Sequence, residues 1–274
     1  MAATNVAAPL IAAEKALPAG LKGRIKHSVC KWCYKDIPLE TLCQAAEGIG
    51  LQSIELLKVA DFATLQKYGL SCAIVDGVPG GIGKGLNRVE NHDKIVAFME
   101  ETIPLTAKAG FPNIICFSGN RDGMSDEQGL ENCVAGLKRI APVAEKHGVT
   151  VCMELLNSRI NHKDYMCDRT PWGVEMVKRV GSERVKLLYD IYHMQIMEGD
   201  LIHTIRDNHM YIGHYHTGGV PGRNEIDSSQ EIFYPAVIQA IVDTGYKGFL
   251  GQEFLPKRAD KLASLAEGIR ICDV

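Results

Sequence analysis

From Arg24 onward, short β-branched runs alternate with amphipathic runs of helical spacing, with little linker between them. Eight runs read as strands: "RIKHSVC" (24–30), "LQSIELL" (51–57), "LSCAIV" (70–75), "PNIICF" (112–117), "VTVCMEL" (149–155), "RVKLLYD" (184–190), "MYIGHYH" (210–216) and "KGFLGQE" (247–253). Helical stretches such as 38–50, 91–110 and 129–148 fall between them. Ser125-Asp126 suits the start of one helix, and Gly148 closes it after Lys146 and His147; Gly110 ends the preceding helix just before Pro112. Eight such units without a domain-scale linker predict an α/β fold, a single-domain (β/α)8 TIM barrel over residues 24–274. An open, doubly wound sheet is the structural alternative.

Residues 1–23 are Ala-rich and poorly periodic, and read as a loosely ordered N-terminal arm. They lack the basic start of an export signal, and Pro9 and Glu14 break their apolar run. A cytoplasmic location is expected, with folded export to the periplasm after removal of a signal segment as the alternative. The nine cysteines point the same way: they are scattered and mostly sit inside apolar segments, as with Cys72, Cys116 and Cys152. The one close pair, Cys30 and Cys33 in "CKWC", has no second CxxC to complete a zinc site and reads as chance spacing.

A net charge of −3 without clustered Lys and Arg argues against a nucleic-acid groove or an acidic-membrane surface. No apolar run approaches the roughly 18–20 residues that span a bilayer. The expected partner is a small molecule, met by a monomer or a homo-oligomer. The Gly-rich "GVPGGIGKG" (77–85) fits neither phosphate-loop pattern and reads as a mobile loop over the barrel mouth.

Barrels of this type carry their chemistry at the C-terminal ends of the strands. Here the last four runs end, in succession, at Glu154, Asp190, His216 and Glu253. Neighbouring strands lie about 4.8 Å apart, so side chains from their ends can converge. Three carboxylates crowded together repel one another and raise each other's pKa, and a divalent cation relieves the repulsion. Three carboxylates and an imidazole suit Mn²⁺ or Mg²⁺, with Co²⁺ also acceptable. Any one acid at a strand exit is ordinarily a solvated end; four from successive strands read as a metal site.

Four further residues are candidates for substrate contact. His193 could donate to a substrate oxygen or serve as a loop histidine. Arg223 could pair with a substrate carboxylate or with Glu225. Glu55 ends the second run and could bond a sugar hydroxyl. His214, two before His216, points the same way and could support the ligand shell.

Glu154 in "ELLNSR", "DIYH" (190–193), "HYHTGGVPGRNEI" (214–226) and "GQEF" (251–254) together resemble the hydroxypyruvate isomerase family, within the xylose isomerase-like barrels that include the D-tagatose 3-epimerases. The similarity runs from about residue 24 to the C-terminus. It implies that Glu154, Asp190, His216 and Glu253 bind one divalent metal. It also implies that Glu154 and Glu253 act as acid–base groups across the substrate, with His193 and Arg223 holding substrate oxygens. "ELLNSR" and "VPGR" resemble the isomerases, whereas His216 stands where the ketose 3-epimerases carry His. The implied chemistry is proton transfer beside a carbonyl. Return of the proton to the neighbouring carbon isomerises, for example hydroxypyruvate to tartronate semialdehyde; return to the same carbon epimerises a ketose or keto-sugar. A metal phosphodiesterase on the same barrel would need further histidines and a basic groove. A sugar-binding barrel would have no use for two opposed glutamates.

Overall fold

Seven of the eight expected runs form parallel strands in the computed structural model, which describes residues 17–274. They are β1 (Lys26–Cys30), β2 (Ser53–Glu55), β3 (Asn113–Cys116), β4 (Thr150–Leu155), β5 (Val185–Asp190), β6 (Ile212–Thr217) and β7 (Phe249–Gln252). Their order is β2-β1-β7-β6-β5-β4-β3. The two edges are joined by residues 71–75: Ile54 N donates to Ser71 O, Val75 N to Asn113 O and Ile115 N to Val75 O. The sheet therefore closes on itself as a TIM barrel, and the open doubly wound alternative is excluded.

The expected strand over 70–75 is corrected to a set of isolated bridges, Ser71 with Ser53 and Val75 with both Leu57 and Ile114. Side chains take over its backbone groups. Ala73 N donates to Ser53 Oγ at 2.7 Å, and Ala73 O accepts from Asn113 Nδ2 at 2.8 Å. A run whose amide groups are claimed this way keeps strand-like burial without a regular ladder. Glu253 also falls one residue beyond β7 rather than inside it.

Nine helices wrap the barrel among the described residues: α1 (Leu39–Ile49), α2 (Phe62–Lys67), α3 (His92–Lys108), α4 (Asp126–His147), α5 (Thr170–Val180), α6 (Ile191–Met197), α7 (Leu201–Asn208), α8 (Tyr234–Asp243) and α9 (Lys261–Cys272). The boundary chemistry holds for α4. Ser125 Oγ accepts from Gln128 N, and Gly148 takes the left-handed conformation at φ 70° that ends it. Strand residues such as Val29, Ile54, Ile114, Val151 and Leu187 are fully buried under these helices. Each such side chain contributes about 1.5–3 kcal/mol of transfer free energy. Close packing is visible at Gly173 of α5, where a Cβ would meet Leu187 Cδ2 of β5 at 2.9 Å. None of these helices is long and apolar enough to cross a membrane.

The expected arm over 1–23 lies outside the described residues as far as residue 16. Its last part is tied down: the backbone N–H groups of Lys22 and Gly23 donate to the Asp273 carboxylate at the opposite end of the chain. All nine cysteines are buried free thiols.

Candidate metal centre

The α6 helix begins where β5 ends, and Asp190 serves both elements. Its Oδ1 accepts from His193 N at 3.2 Å and caps the helix, which turns Oδ2 inward. There Oδ2 meets Glu154 from β4, His216 from β6 and Glu253 from just past β7. One ligand atom of each of the four lies within 4.8 Å of the others, and all four residues are buried.

His216 supplies the clearest sign of what the cluster could hold. Its Nδ1 lies 3.0 Å from Glu253 Oε2 and 3.6 Å from Glu154 Oε1, yet it is buried without a hydrogen bond. A buried, orphaned imidazole nitrogen facing three carboxylates is a donor set that fits a divalent cation.

The charges confirm the crowding. Burial, reinforced by Glu253, raises the Glu154 carboxyl above its ordinary value, and burial raises Asp190 still further. Burial also opposes ionisation of Glu253, but Arg223 and His216 outweigh it and hold that group well below the usual carboxylate range.

Arg223 is placed by strained backbone at φ 59°, fixed by its own N–H to Gly219 O and by Leu255 N–H to its carbonyl. Its side chain lies over the rings of Trp32 and Tyr192. Nη2 reaches Glu253 Oε2 at 2.5 Å and Asp190 Oδ2 at 3.4 Å, and Nε donates to the Glu253 carbonyl. The alternative reading, a pairing with Glu225, does not occur. Glu225 instead accepts the backbone N–H groups of Lys257 and Arg258.

His193 is fully buried beside His162 and Tyr192. The backbone N–H of Asn157 donates to its Nδ1 at 3.1 Å, so the neutral ring carries its proton on Nε2. That Nε2–H is without a hydrogen bond and sits 3.5 Å from Asp190 Oδ2. Burial lowers the ring's pKa well below the ordinary value, which keeps it neutral.

Two of the candidates for substrate contact lie elsewhere. Glu55 and His214 do not line the cavity and are fully buried. Glu55 Oε1 instead accepts from His216 Nε2 at 2.6 Å and from His214 Nε2 at 2.9 Å, because β2 sits across the barrel from β6 and points its last side chain into the interior. Both residues lie behind His216 of the cluster rather than against the cavity, which for His214 is the supporting place its spacing suggested.

Two members of the cluster, Glu154 and Glu253, line a cavity of about 540 Å³; Asp190 and His216 lie behind them. Glu154, Glu253, His162 and Arg223 line it together with Lys58 and Asp76, and Leu56, Val78, Ile82, Ile115, Phe117 and Leu156 give the lining its apolar part. The "GVPGGIGKG" segment lines this cavity through Gly77, Val78, Gly81 and Ile82. Its second half is zipped to 117–120 through Leu86 N to Phe117 O and Asn120 N to Gly83 O. Sequence reasoning missed Trp32, which lies between the "CKWC" cysteines, lines the cavity and donates its indole N–H to Glu253 Oε1 at 2.8 Å. It also missed Asn157, whose place inside "ELLNSR" was the available signal.

Comparison with known proteins agrees with this fold. Residues 45–272 match the xylose isomerase-like TIM barrel family. A putative hydroxypyruvate isomerase from Homo sapiens is 28% identical over 240 residues, covering 86% of this chain and 80% of that protein. Among solved structures, an AP endonuclease of family 2 from Brucella melitensis superposes with a TM-score of 0.78 at 23% identity, covering 89% of this chain and 98% of that one. The 3-keto-D-glucoside 4-epimerase from E. coli follows with a TM-score of 0.76 at 18% identity, covering 90% and 100%.

Proposed function

The chain belongs to the xylose isomerase-like TIM barrel family, and on that footing we propose that it is a metal-dependent isomerase or epimerase of small hydroxy-carbonyl compounds. Glu154, Asp190, His216 and Glu253 would hold one divalent cation, Mn²⁺ or Mg²⁺, with Co²⁺ also acceptable to these donors. When bound, such a cation polarises a carbonyl and its adjacent hydroxyl and steadies the charge that develops as the α-proton leaves.

The observation that carries the reading is the placing of Glu154 and Glu253. They enter one cluster from β4 and from beyond β7, with β5 and β6 between them, so they approach a molecule in the cavity from different sides. One carboxylate takes the α-proton and the other returns a proton to the product carbon. Trp32 and Arg223 hold the two oxygens of Glu253, fixing the direction of its lone pairs. His193, neutral and fully buried, does not line the cavity; its Nε2 lies 3.5 Å from Asp190 Oδ2, behind the cluster, so its part is to support Asp190 rather than to touch the substrate. The apolar wall keeps water from the reacting carbon.

Hydroxypyruvate, converted to tartronate semialdehyde, is the first substrate to try, given the name of the human relative. A second reading, epimerisation of a ketose or keto-sugar, is favoured by the cavity. About 540 Å³ is the size of site that encloses much larger ligands than a three-carbon acid. Arg223, the group that argued for a substrate carboxylate, already has Nε and Nη2 engaged. The buried free thiols suit a reducing, cytoplasm-like compartment.

Incubation with hydroxypyruvate and with a panel of ketohexoses in D₂O tests both readings. The true substrate gains solvent deuterium at the carbon next to the carbonyl. No exchange into any of them, with Mn²⁺ supplied, refutes the proposed chemistry.

A further inference from the structure

Below the four-residue cluster lies a second buried group that the proton-transfer chemistry does not use: Cys30, Glu55 and His214, gathered on the far side of His216. Glu55 Oε1 is the hub. It accepts from His216 Nε2 at 2.6 Å, from His214 Nε2 at 2.9 Å and from the Cys30 thiol at 3.5 Å. All four residues are fully buried. Room for this approach exists because residue 251 is glycine: a Cβ there would meet Glu55 Oε1 at 2.3 Å and His216 Cδ2 at 2.7 Å. Cys30, Glu55 and His216 could themselves be taken for a cation site. The 2.6 Å contact is the length of a hydrogen bond, shorter than the separation of two ligands about 2.0–2.2 Å from one ion.

An imidazole has two nitrogens, and a neutral ring carries one proton. We infer that Glu55 is a positioning residue: by accepting the Nε2 proton of His216 it leaves the Nδ1 lone pair for the cation. This rests on the metal reading of the Glu154, Asp190, His216 and Glu253 cluster. The orphaned state of Nδ1, together with the bonded state of Nε2, is the arrangement that such a division of labour requires. His214 acts at one remove. Its Nε2–H occupies the same carboxylate oxygen and fixes the torsion of Glu55, so that the oxygen faces His216. Without Glu55, Nε2 faces only the Cys30 sulfur at 3.7 Å, a weak acceptor, and the ring proton is free to move to Nδ1, where it competes with the cation.

Two measurements test this. In the first, two-bond ¹H–¹⁵N correlation spectra of the histidine rings are recorded on the metal-free wild type at alkaline pH and on the Zn²⁺-loaded protein, with His216→Asn used for assignment. His216 should carry its proton on Nε2 in both; a proton on Nδ1 in the metal-free ring, or zinc on Nε2, overturns the inference. In the second, Mn²⁺ is titrated into metal-free wild type, Glu55→Leu and Glu55→Gln. Glu55→Leu cannot accept a hydrogen bond and should bind about 10- to 100-fold more weakly, the usual effect of losing a partner behind a metal ligand. Glu55→Gln keeps an acceptor oxygen and should recover most of that loss, which a merely space-filling role would not predict. Equal affinity in all three overturns the inference. Should Glu55→Leu fail to fold, the wild-type spectrum decides on its own. A wild type that binds no Mn²⁺ overturns the metal reading instead, and the metal-free spectrum still reports on the Glu55 contact.

Discussion

Trp32 donates its indole N–H to Glu253 Oε1 at 2.8 Å while Arg223 holds the other oxygen at 2.5 Å, so both oxygens of this carboxylate are fixed from outside. Trp32→Phe keeps an aromatic ring on Arg223 and removes only the donor. Loss of a hydrogen bond to a charged group costs about 1.5–3 kcal/mol, roughly a 10- to 100-fold drop in the rate of the proton transfer proposed for Glu253. Solvent-deuterium exchange at saturating substrate measures it. An unchanged rate in Trp32→Phe would show that the contact does not orient Glu253.

Gly251 tests the packing behind the cluster. Gly251→Ala forces a methyl against Glu55 Oε1 and His216 Cδ2. Overpacking of this kind costs about 1–3 kcal/mol. Urea denaturation of the metal-free variant should show that loss, and the Mn²⁺ affinity of the folded variant should fall with it. Full stability and full affinity together would contradict the close approach.

Glu225 carries a pH dependence of its own. It is buried and accepts from Lys257 N, Arg258 N and Ser264 Oγ, joining the loop after β7 to the segment after β6. Burial would raise its pKa, but these donors outweigh burial and lower it. A carboxyl whose folded pKa is depressed adds stability above its unfolded pKa of about 4.3, and that stability disappears as the pH falls through the folded value. Glu225→Gln should therefore be about 1–3 kcal/mol less stable than wild type at pH 7, with the gap closing below about pH 4. Urea midpoints at pH 7 and pH 3.5 check it; a gap that does not narrow in acid assigns the loss to packing instead of charge.

What could be read from the residue order was whatever repeats locally. The βα alternation placed Glu154, Asp190, His216 and Glu253 at successive strand exits, and the structure brings them together because neighbouring exits are neighbours in space. The capping of α4 by Ser125 and Gly148 was legible for the same reason. Contacts across the barrel were not. Glu55 reaches His216 from 161 residues away, and no periodicity says whether a strand's last side chain faces a substrate or the interior. Trp32 was hidden because it sits in a short 3₁₀ turn, between two cysteines that drew attention to themselves. The run over 70–75 reads as a strand by composition; that Ser53 and Asn113 side chains would claim the amide groups of Ala73 is a matter of tertiary placement.

The account stands on Glu154, Asp190, His216 and Glu253 acting as one ligand set, and Mn²⁺ titration of the EDTA-treated protein by calorimetry tests this most directly. Wild type should bind one ion per chain, and Asp190→Asn, which keeps the helix-capping oxygen but removes the charge, should bind at least about tenfold more weakly. Absence of binding to the wild type, or undiminished binding to Asp190→Asn, would contradict it.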